Sequence, residues 1–465
     1  MTVMTRLPTF VPGLDDILHG GLFEGGVYIF EGPPGAGKTT LANQIAYEAQ
    51  ARSGRKTLYM TMLAESHSRM VQHMSGQAFF DASAVNASVI YISGYREMEE
   101  QGLKAVVDLM RSELARHRAD LFVVDGLVVE NFDAHPEESI RQFVHGLQSV
   151  ASAMGCTGLL LTSGNGRSLN AEQTMVDGIF AFEDYIFQWR AERRIQVRKF
   201  RGSAVERGKH TFCITEHGLR FFPRLEGLPL EAQQESAAPV HGVSSGVEGL
   251  DDAMELGGFA IGSSTLVIGE SGAGKTLLAL AFAAKSSLDE RGLMLACTEA
   301  RAELRQFGRR FQLPVGALLD SGALEIHGAG QEDESMDEMG HRLLRLVQEL
   351  GCTRLVVDGL VGFADTVAFP ERGYRFIGRL LRELKQRGVT SVFTMDPAAL
   401  SAATGVSLTD GLLGWFDNVV EITRPSAAAT DMRTLELRKL RGTRAKTMRI
   451  DLPLGASDLA TPVGV

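Results

Sequence analysis

The sequence predicts an α/β protein built from two tandem domains, each a mainly parallel sheet flanked by helices. Three observations carry this reading. The chain repeats itself at a nearly constant offset, short β-rich runs alternate with helical patterns in each half, and one glycine-rich motif recurs at the same place in both halves. A repeat this long denotes whole globular domains, because solenoid units run only about 20 to 50 residues.

The repeat opens at Gly13-Leu14-Asp15-Asp16 and again at Gly249-Leu250-Asp251-Asp252. Later landmarks keep the offset: Gly21 and Gly258 lie 237 residues apart, as do Lys38 and Lys275, while Asp125 and Asp358 lie 233 apart and Lys199 and Lys439 lie 240 apart. Domains are expected at residues 1–228 and 242–450. Residues 229–241 between them lose hydrophobic periodicity and gather Pro, Gln, Glu and Ala, as a linker does. Residues 451–465 carry little charge and no period, and are expected to form a flexible tail.

In the first domain the β-rich runs are residues 27–30, 57–62, 121–124 and 158–162; in the second they are 265–268, 292–297, 354–357 and 390–394. Such runs are apolar on both faces and separated by helical stretches, the pattern of parallel strands covered by helices.

Composition bounds the function classes. The 465 residues are 44% hydrophobic and 22% charged, which excludes a disordered or fibrous chain. Lys and Arg number 47 against 57 Asp and Glu, a formal charge of −10 that disfavours a non-specific nucleic-acid coat. Cys156, Cys213, Cys297 and Cys352 show no CxxC spacing, so buried free thiols are expected rather than a zinc knuckle or disulfide framework. No apolar run approaches the ~20 residues of a membrane span, and no signal-like core follows Met1, so a cytoplasmic location is expected.

The recurring motif is GxxxxGK[ST]. Residues 32–39 read Gly-Pro-Pro-Gly-Ala-Gly-Lys-Thr and residues 269–276 read Gly-Glu-Ser-Gly-Ala-Gly-Lys-Thr, each after an apolar strand and before a helical pattern. The glycines let the backbone N–H groups turn inward around an anion, and the following helix N-terminus adds favourable partial charge. A nucleotide's phosphates are therefore expected on Gly32, Gly35, Ala36, Gly37, Lys38, Thr39 and Thr40 in the first domain. Gly269, Gly272, Ala273, Gly274, Lys275, Thr276 and Leu277 are expected to do the same in the second. Lys38 and Lys275 reach the β- and γ-phosphates. Thr39 and Thr276 offer hydroxyls to Mg²⁺, and Asp125 and Asp358, each ending an apolar strand at the carboxyl edge of the sheet, hold the metal's shell.

The motifs GLDDILHGGLFEGG and GLDDAMELGGFAIGS before the two phosphate loops, with KFRGS and KLRGT near the domain ends, resemble the KaiC family of RecA-like ATPases, the circadian-clock proteins and their non-clock relatives. The resemblance spans about residues 8 to 450. It implies two tandem RecA-like P-loop NTPase domains, ATP and Mg²⁺ as cofactors, a homohexamer with nucleotide between neighbours, and an ATP-driven role in timing, signalling or regulation with a partner protein. It also implies that Lys199 and Arg201, and Lys439 and Arg441, reach the neighbouring subunit's nucleotide. Where the family carries paired glutamates after the second strand, this chain keeps one of each pair, Glu65 and Glu299, which implies slow hydrolysis. At the clock protein's phospho-acceptor positions stand Leu413 and Gly414, which speaks against autokinase activity; Ser407 and Thr409 are the nearest hydroxyls.

The acidic run Glu332, Asp333, Glu334, Asp337 and Glu338 is expected to be a solvated helix cap. Residues 438–449 are basic but lack interleaved aromatics, and residues 128–139 carry four carboxylates with no Lys or Arg, so nucleic acid is disfavoured. A nucleotide-gated scaffold with little turnover and a RecA-type DNA recombination or repair ATPase are the rival classes.

Overall fold

The computed structural model describes residues 5–62, 67–127, 136–163, 175–187, 190–228, 241–328, 334–360, 370–398, 409–424, 432–442, 444 and 448–453. The chain divides into two compact units, residues 1–228 and 229–465.

The first unit holds strands β1 (Val27–Glu31), β2 (Thr57–Thr61), β3 (Val89–Ser93), β4 (Leu121–Leu127), β5 (Thr157–Thr162), β6 (Gly178–Phe187), β7 (Arg190–Phe200), β8 (Lys209–Thr215) and β9 (Gly218–Phe222), in the order β9-β8-β7-β6-β1-β5-β4-β2-β3. From β6 to β3 every pairing is parallel, and β7 to β9 add an antiparallel extension. Helices α1 (Lys38–Ser53), α2 (Leu103–His117) and α3 (Pro136–Met154) cover the sheet. Alternation along each strand sorts the side chains between two cores. Tyr28, Phe30, Tyr59 and Leu159 pack with Leu41 and Ile45 of α1. Ile29, Leu58, Met60 and Leu160 pack with Met110 of α2 and Phe143 and Leu147 of α3.

The second unit repeats the plan with β10 (Ser264–Ile268), β11 (Gly292–Ala296), β12 (Leu324–Gly328), β13 (Arg354–Asp358), β14 (Thr390–Met395), β15 (Asn418–Thr423), β16 (Met432–Leu440) and β17 (Arg449–Pro453), ordered β17-β16-β15-β10-β14-β13-β11-β12. Its helices include α4 (Lys275–Ala283), α5 (Arg301–Arg310), α6 (Met336–Leu350), α7 (Pro370–Gln386) and α8 (Thr409–Leu413). From Leu277 onward α4 is buried on every side, as its unbroken apolar sequence requires.

Three expectations change. The eight predicted runs are all strands, matched to within one residue at each end except β4, which continues three residues past residue 124; the parallel strands β3, β6, β12 and β15 and the antiparallel extensions are additional. Strand β7 hides in sequence because it is rich in charge: Arg194 is buried and donates to Glu192 at 2.8 Å, so an ion pair stands where an apolar residue would mark the strand. Strand β17 carries ordered chain to Pro453, past the boundary placed at residue 450. The acidic run is not simply a solvated cap. Ser335 caps α6 by accepting from the Glu338 amide, while Glu334 is buried under a two-pronged bond from Arg342 (2.7 and 2.9 Å) and Asp337 is buried against Arg372 at 2.8 Å. Residues 332 and 333 lie outside the described residues.

Cys156 and Cys352 are buried free thiols, whereas Cys213 and Cys297 are only partly covered. Among the described residues no helix is long and apolar enough to cross a membrane.

Candidate nucleotide sites

Strands β1 and β10 are each flanked on both sides by parallel partners, so the loop that follows emerges at the carboxyl edge in the middle of its sheet. The loop turns into its helix through Gly37 at φ 93° and Gly274 at φ 111°, a backbone region that side chains resist. It is also pressed onto the next strand: a Cβ on Gly32 would meet Phe182 O at 2.5 Å, and one on Gly269 would meet Ile422 O at 2.6 Å. Lys38 Nζ donates to Gly32 O (2.7 Å) and Pro33 O (2.8 Å), and Lys275 Nζ donates to Gly269 O (2.9 Å) and Glu270 O (2.8 Å). Each ammonium thus lies across its own loop on neutral acceptors, which anionic phosphate oxygens outcompete because they add a full opposite charge to the hydrogen bond. Burial lowers the pKa of both lysines; Asp125 opposes this at Lys38, and Asp396 and Asp358 oppose it at Lys275.

The two aspartates end up beside their loops. Asp125 Oδ2 accepts from the Thr39 hydroxyl at 2.9 Å and the Tyr59 hydroxyl at 2.8 Å. Asp358 Oδ1 accepts from the Thr394 hydroxyl at 2.5 Å, while its Oδ2 is buried with no hydrogen-bond partner. A buried carboxylate oxygen left in this state, close to a threonine hydroxyl and a phosphate loop, fits a hydrated Mg²⁺. Burial raises both carboxyl pKa values above the ordinary range. The Tyr59 and Thr39 hydroxyls and Lys38 counteract this at Asp125, and the Thr394 and Thr276 hydroxyls and Lys275 at Asp358.

This raised value sets a test. A carboxyl that holds its proton more tightly in the fold than in the unfolded chain makes stability fall as pH rises from the unfolded pKa through the folded one. Asp358→Asn keeps an acceptor for Thr394 and removes the charge. The nucleotide-free variant is therefore expected to unfold at a higher temperature than the parent at pH 7, with the difference vanishing in acid below the unfolded pKa, and to lose the extra stabilisation that Mg²⁺ adds to ATP. Calorimetry across pH checks this; a lower apo melting temperature at pH 7 with the Mg²⁺ effect intact contradicts it.

In the second unit the loop opens on a cavity of about 990 Å³ whose walls include Lys275, Thr276, Glu299, Arg310, Asp358 and Arg433. Glu299 lines this space three residues past the end of β11. Burial first, then repulsion from Asp358, raises its pKa, which suits a group that must draw a proton from water. Its counterpart Glu65 lies outside the described residues, as does Ser407, while Thr409 lies in α8.

The basic pairs are elsewhere. Lys199 sits opposite Ile179 near the start of β6, and Lys439 opposite Val419 near the start of β15. Through Ile179 and Val419 they are level with Ile29 and Leu266, three residues before Gly32 and Gly269, so both lie toward the amino edge of their sheets, about 10 Å back along the strands from the phosphate loop at ~3.3 Å per residue. Lys439 Nζ donates to the carbonyls of Leu413 (3.0 Å), Gly414 (3.2 Å) and Phe416 (2.6 Å), and Arg201 donates to Met175 O at 3.0 Å. Burial and the neighbouring arginine, Arg201 or Arg441, lower both lysine pKa values. Within a unit, then, the fold brings loop, threonine and aspartate together and keeps the basic pair apart from them.

Sequence reasoning missed Tyr59 and Thr394, which orient the two aspartates, and the arginines that brace the second loop: Arg433 donates to Ala273 O at 3.1 Å, and Arg424 to Gly272 O. One signal was present. Arg433 recurs as Arg193 at the same 240-residue offset as the basic pairs, and Arg193 Nε is buried without a partner.

A family model described as the KaiC ATPase matches the chain twice, over residues 7–226 and 243–455. Among similar proteins, the circadian clock oscillator protein KaiC of Picosynechococcus sp. is 26% identical over 405 residues, covering 84% of this chain and 76% of its own length. KaiC 1 of Synechocystis sp. is 24% identical over 454 residues, 94% of this chain and 85% of its own. The KaiC of Synechococcus elongatus is 24% identical over 456 residues, with the same two coverages.

Proposed function

The chain belongs to the KaiC family of ATPases, and on that premise we propose that it hydrolyses Mg–ATP slowly in a homohexameric ring whose nucleotide sites are each completed by the next copy. ATP/ADP-dependent assembly would be its output to a signalling, timing or regulatory partner. One observation carries the shared-site reading. In both units, at the same register, the basic pair lies at the sheet edge opposite the phosphate loop, where its own nucleotide is out of reach.

Lys38 and Lys275 exchange their loop carbonyls for β- and γ-phosphate oxygens, and Thr39 with Asp125, and Thr276 with Asp358, would hold Mg²⁺. The metal's part is to neutralise phosphate charge. Glu299, and Glu65 in the first unit, accept the proton of the attacking water. Lys199 with Arg201, and Lys439 with Arg441, meet the γ-phosphoryl group of the adjoining copy and stabilise the charge that develops there. A single glutamate in place of a pair supports slow turnover. The mixed-variant assay set out in the Discussion tests this arrangement.

The same reading excludes clock-type autophosphorylation. Leu413 and Gly414 carry no hydroxyl, and their carbonyls are held by Lys439. Incubation with γ-labelled ATP is expected to leave the chain unlabelled after denaturation. Stable label mapped to Ser407 or Thr409 would restore an autokinase role.

A further inference from the structure

The two units differ beneath their phosphate loops. In the first, helix α1 and strands β2 and β3 enclose Asn43, Tyr47, Tyr59 and Tyr91, all of them buried. In the second, the same places hold apolar side chains. Leu280 and Ala284 stand at the 237-residue offset from Asn43 and Tyr47, and Met294 pairs with Ile326 across β11 and β12 as Tyr59 pairs with Tyr91 across β2 and β3. Burying polar side chains costs free energy unless their hydrogen bonds are made, and the second unit shows that an apolar filling serves the fold here.

The bonds are made, and they converge on the metal residues. The Tyr59 hydroxyl donates to Asp125 Oδ2 at 2.8 Å, beside the bond from Thr39. The Tyr91 hydroxyl donates to Asn43 Oδ1 at 2.7 Å, the Tyr47 hydroxyl lies 3.2 Å from that of Tyr91, and Asn43 Nδ2 donates to the Thr39 carbonyl at 2.9 Å. Tyr59 and Tyr91 also pack ring to ring, with centroids 5.3 Å apart. Thr39 and Asp125 are thus both held from the interior. When Thr39 turns its hydroxyl oxygen to Mg²⁺, Tyr59 stays as the side-chain donor that fixes Asp125. The second unit works from the other side: Thr394 of β14 donates to Asp358 Oδ1 and leaves Oδ2 bare, whereas the first unit has Leu161 at the 233-residue offset from Thr394, paired with Asp125 across the sheet.

We propose that Tyr59, locked in place by Tyr91 and Asn43, is a positioning residue that sets the first unit's preference for Mg²⁺ over larger divalent cations. A carboxylate whose orientation is fixed suits Mg²⁺, which demands near-ideal octahedral geometry, while Ca²⁺ accepts longer and more flexible coordination. Tyr59 has this role only if Thr39 and Asp125 hold the metal, as proposed above.

The test uses the full chain carrying Lys275→Ala, so that nucleotide is read at the first unit alone. Binding of a non-hydrolysable ATP analogue is measured by equilibrium dialysis, first in chelator and then across Mg²⁺ or Ca²⁺ concentrations. Tyr59→Phe is expected to raise the Mg²⁺ concentration giving half of the metal-dependent gain roughly tenfold, to shift the Ca²⁺ dependence much less, and to leave binding in chelator unchanged. Adding Leu161→Thr, which supplies the second unit's hydroxyl, restores much of the Mg²⁺ dependence. Tyr59→Met, the second unit's own residue, gives the same reading if the phenylalanine variant unfolds. The proposal is overturned if the Mg²⁺ dependence is unmoved, if the Ca²⁺ dependence moves as far, if binding in chelator falls equally, or if Leu161→Thr restores nothing. Each of these results leaves the ATPase reading standing. In the Lys275→Ala parent, by contrast, nucleotide binding indifferent to Mg²⁺ would remove the metal assignment of Thr39 and Asp125, and the role of Tyr59 with it.

Discussion

Replacing Lys275 by alanine is expected to lower bound Mg–ATP from two nucleotides per chain to one, and Lys38→Ala to do the same. In each unit the ammonium is the cation that spans the phosphate loop, and alanine leaves the loop backbone intact because its turn is set by Gly37 or Gly274. The variant loses hydrogen bonds to charged oxygens worth about 1.5–3 kcal/mol each. With at least two such bonds, affinity falls more than a hundredfold at that site. Equilibrium dialysis with the two variants and their combination reads the stoichiometry directly. Two nucleotides bound by both single variants would contradict the assignment of both loops.

The second large effect concerns turnover. Glu65→Gln with Glu299→Gln preserves shape while removing the proton acceptor, so hydrolysis is expected to fall about 10²–10⁴-fold with ATP binding and assembly intact. Lys199→Ala with Lys439→Ala is also expected to slow hydrolysis, by removing charge stabilisation, and to loosen the assembly. It carries a structural cost too, because Lys439 holds three carbonyls around Trp415. Lys439→Arg, which retains the charge, separates folding damage from loss of the cation. Each double variant keeps what the other lacks. Mixed assemblies are therefore expected to recover activity that neither parent shows, through interfaces pairing an intact glutamate with an intact basic pair. Subunits that exchange without recovery would show that each site works within one chain.

Much of this was legible in the sequence because the repeat and the phosphate-loop motif constrain each other. Glycines at 37 and 274, and aspartates at 125 and 358 closing apolar runs, are dictated locally by backbone conformation and strand burial. What escaped depends on tertiary pairing. The extension strands β7, β16 and β17 are rich in charge, and which of those charges are buried is settled only when the strands pair, as Arg194 of β7 does opposite Glu183 of β6. Asp337 looks solvated beside its acidic neighbours until α7 brings Arg372 from 35 residues away. Tyr59 and Thr394 reach the aspartates from different neighbouring strands in the two units, so neither repeats in register.

The mass of the assembly with and without nucleotide tests the central claim most directly. A chain of 50.4 kDa whose nucleotide sites are completed by neighbours is expected to form, in saturating Mg–ATP, a particle about six times that mass that dissociates when nucleotide is withdrawn. A species that stays at 50.4 kDa in saturating Mg–ATP would contradict the shared-site account.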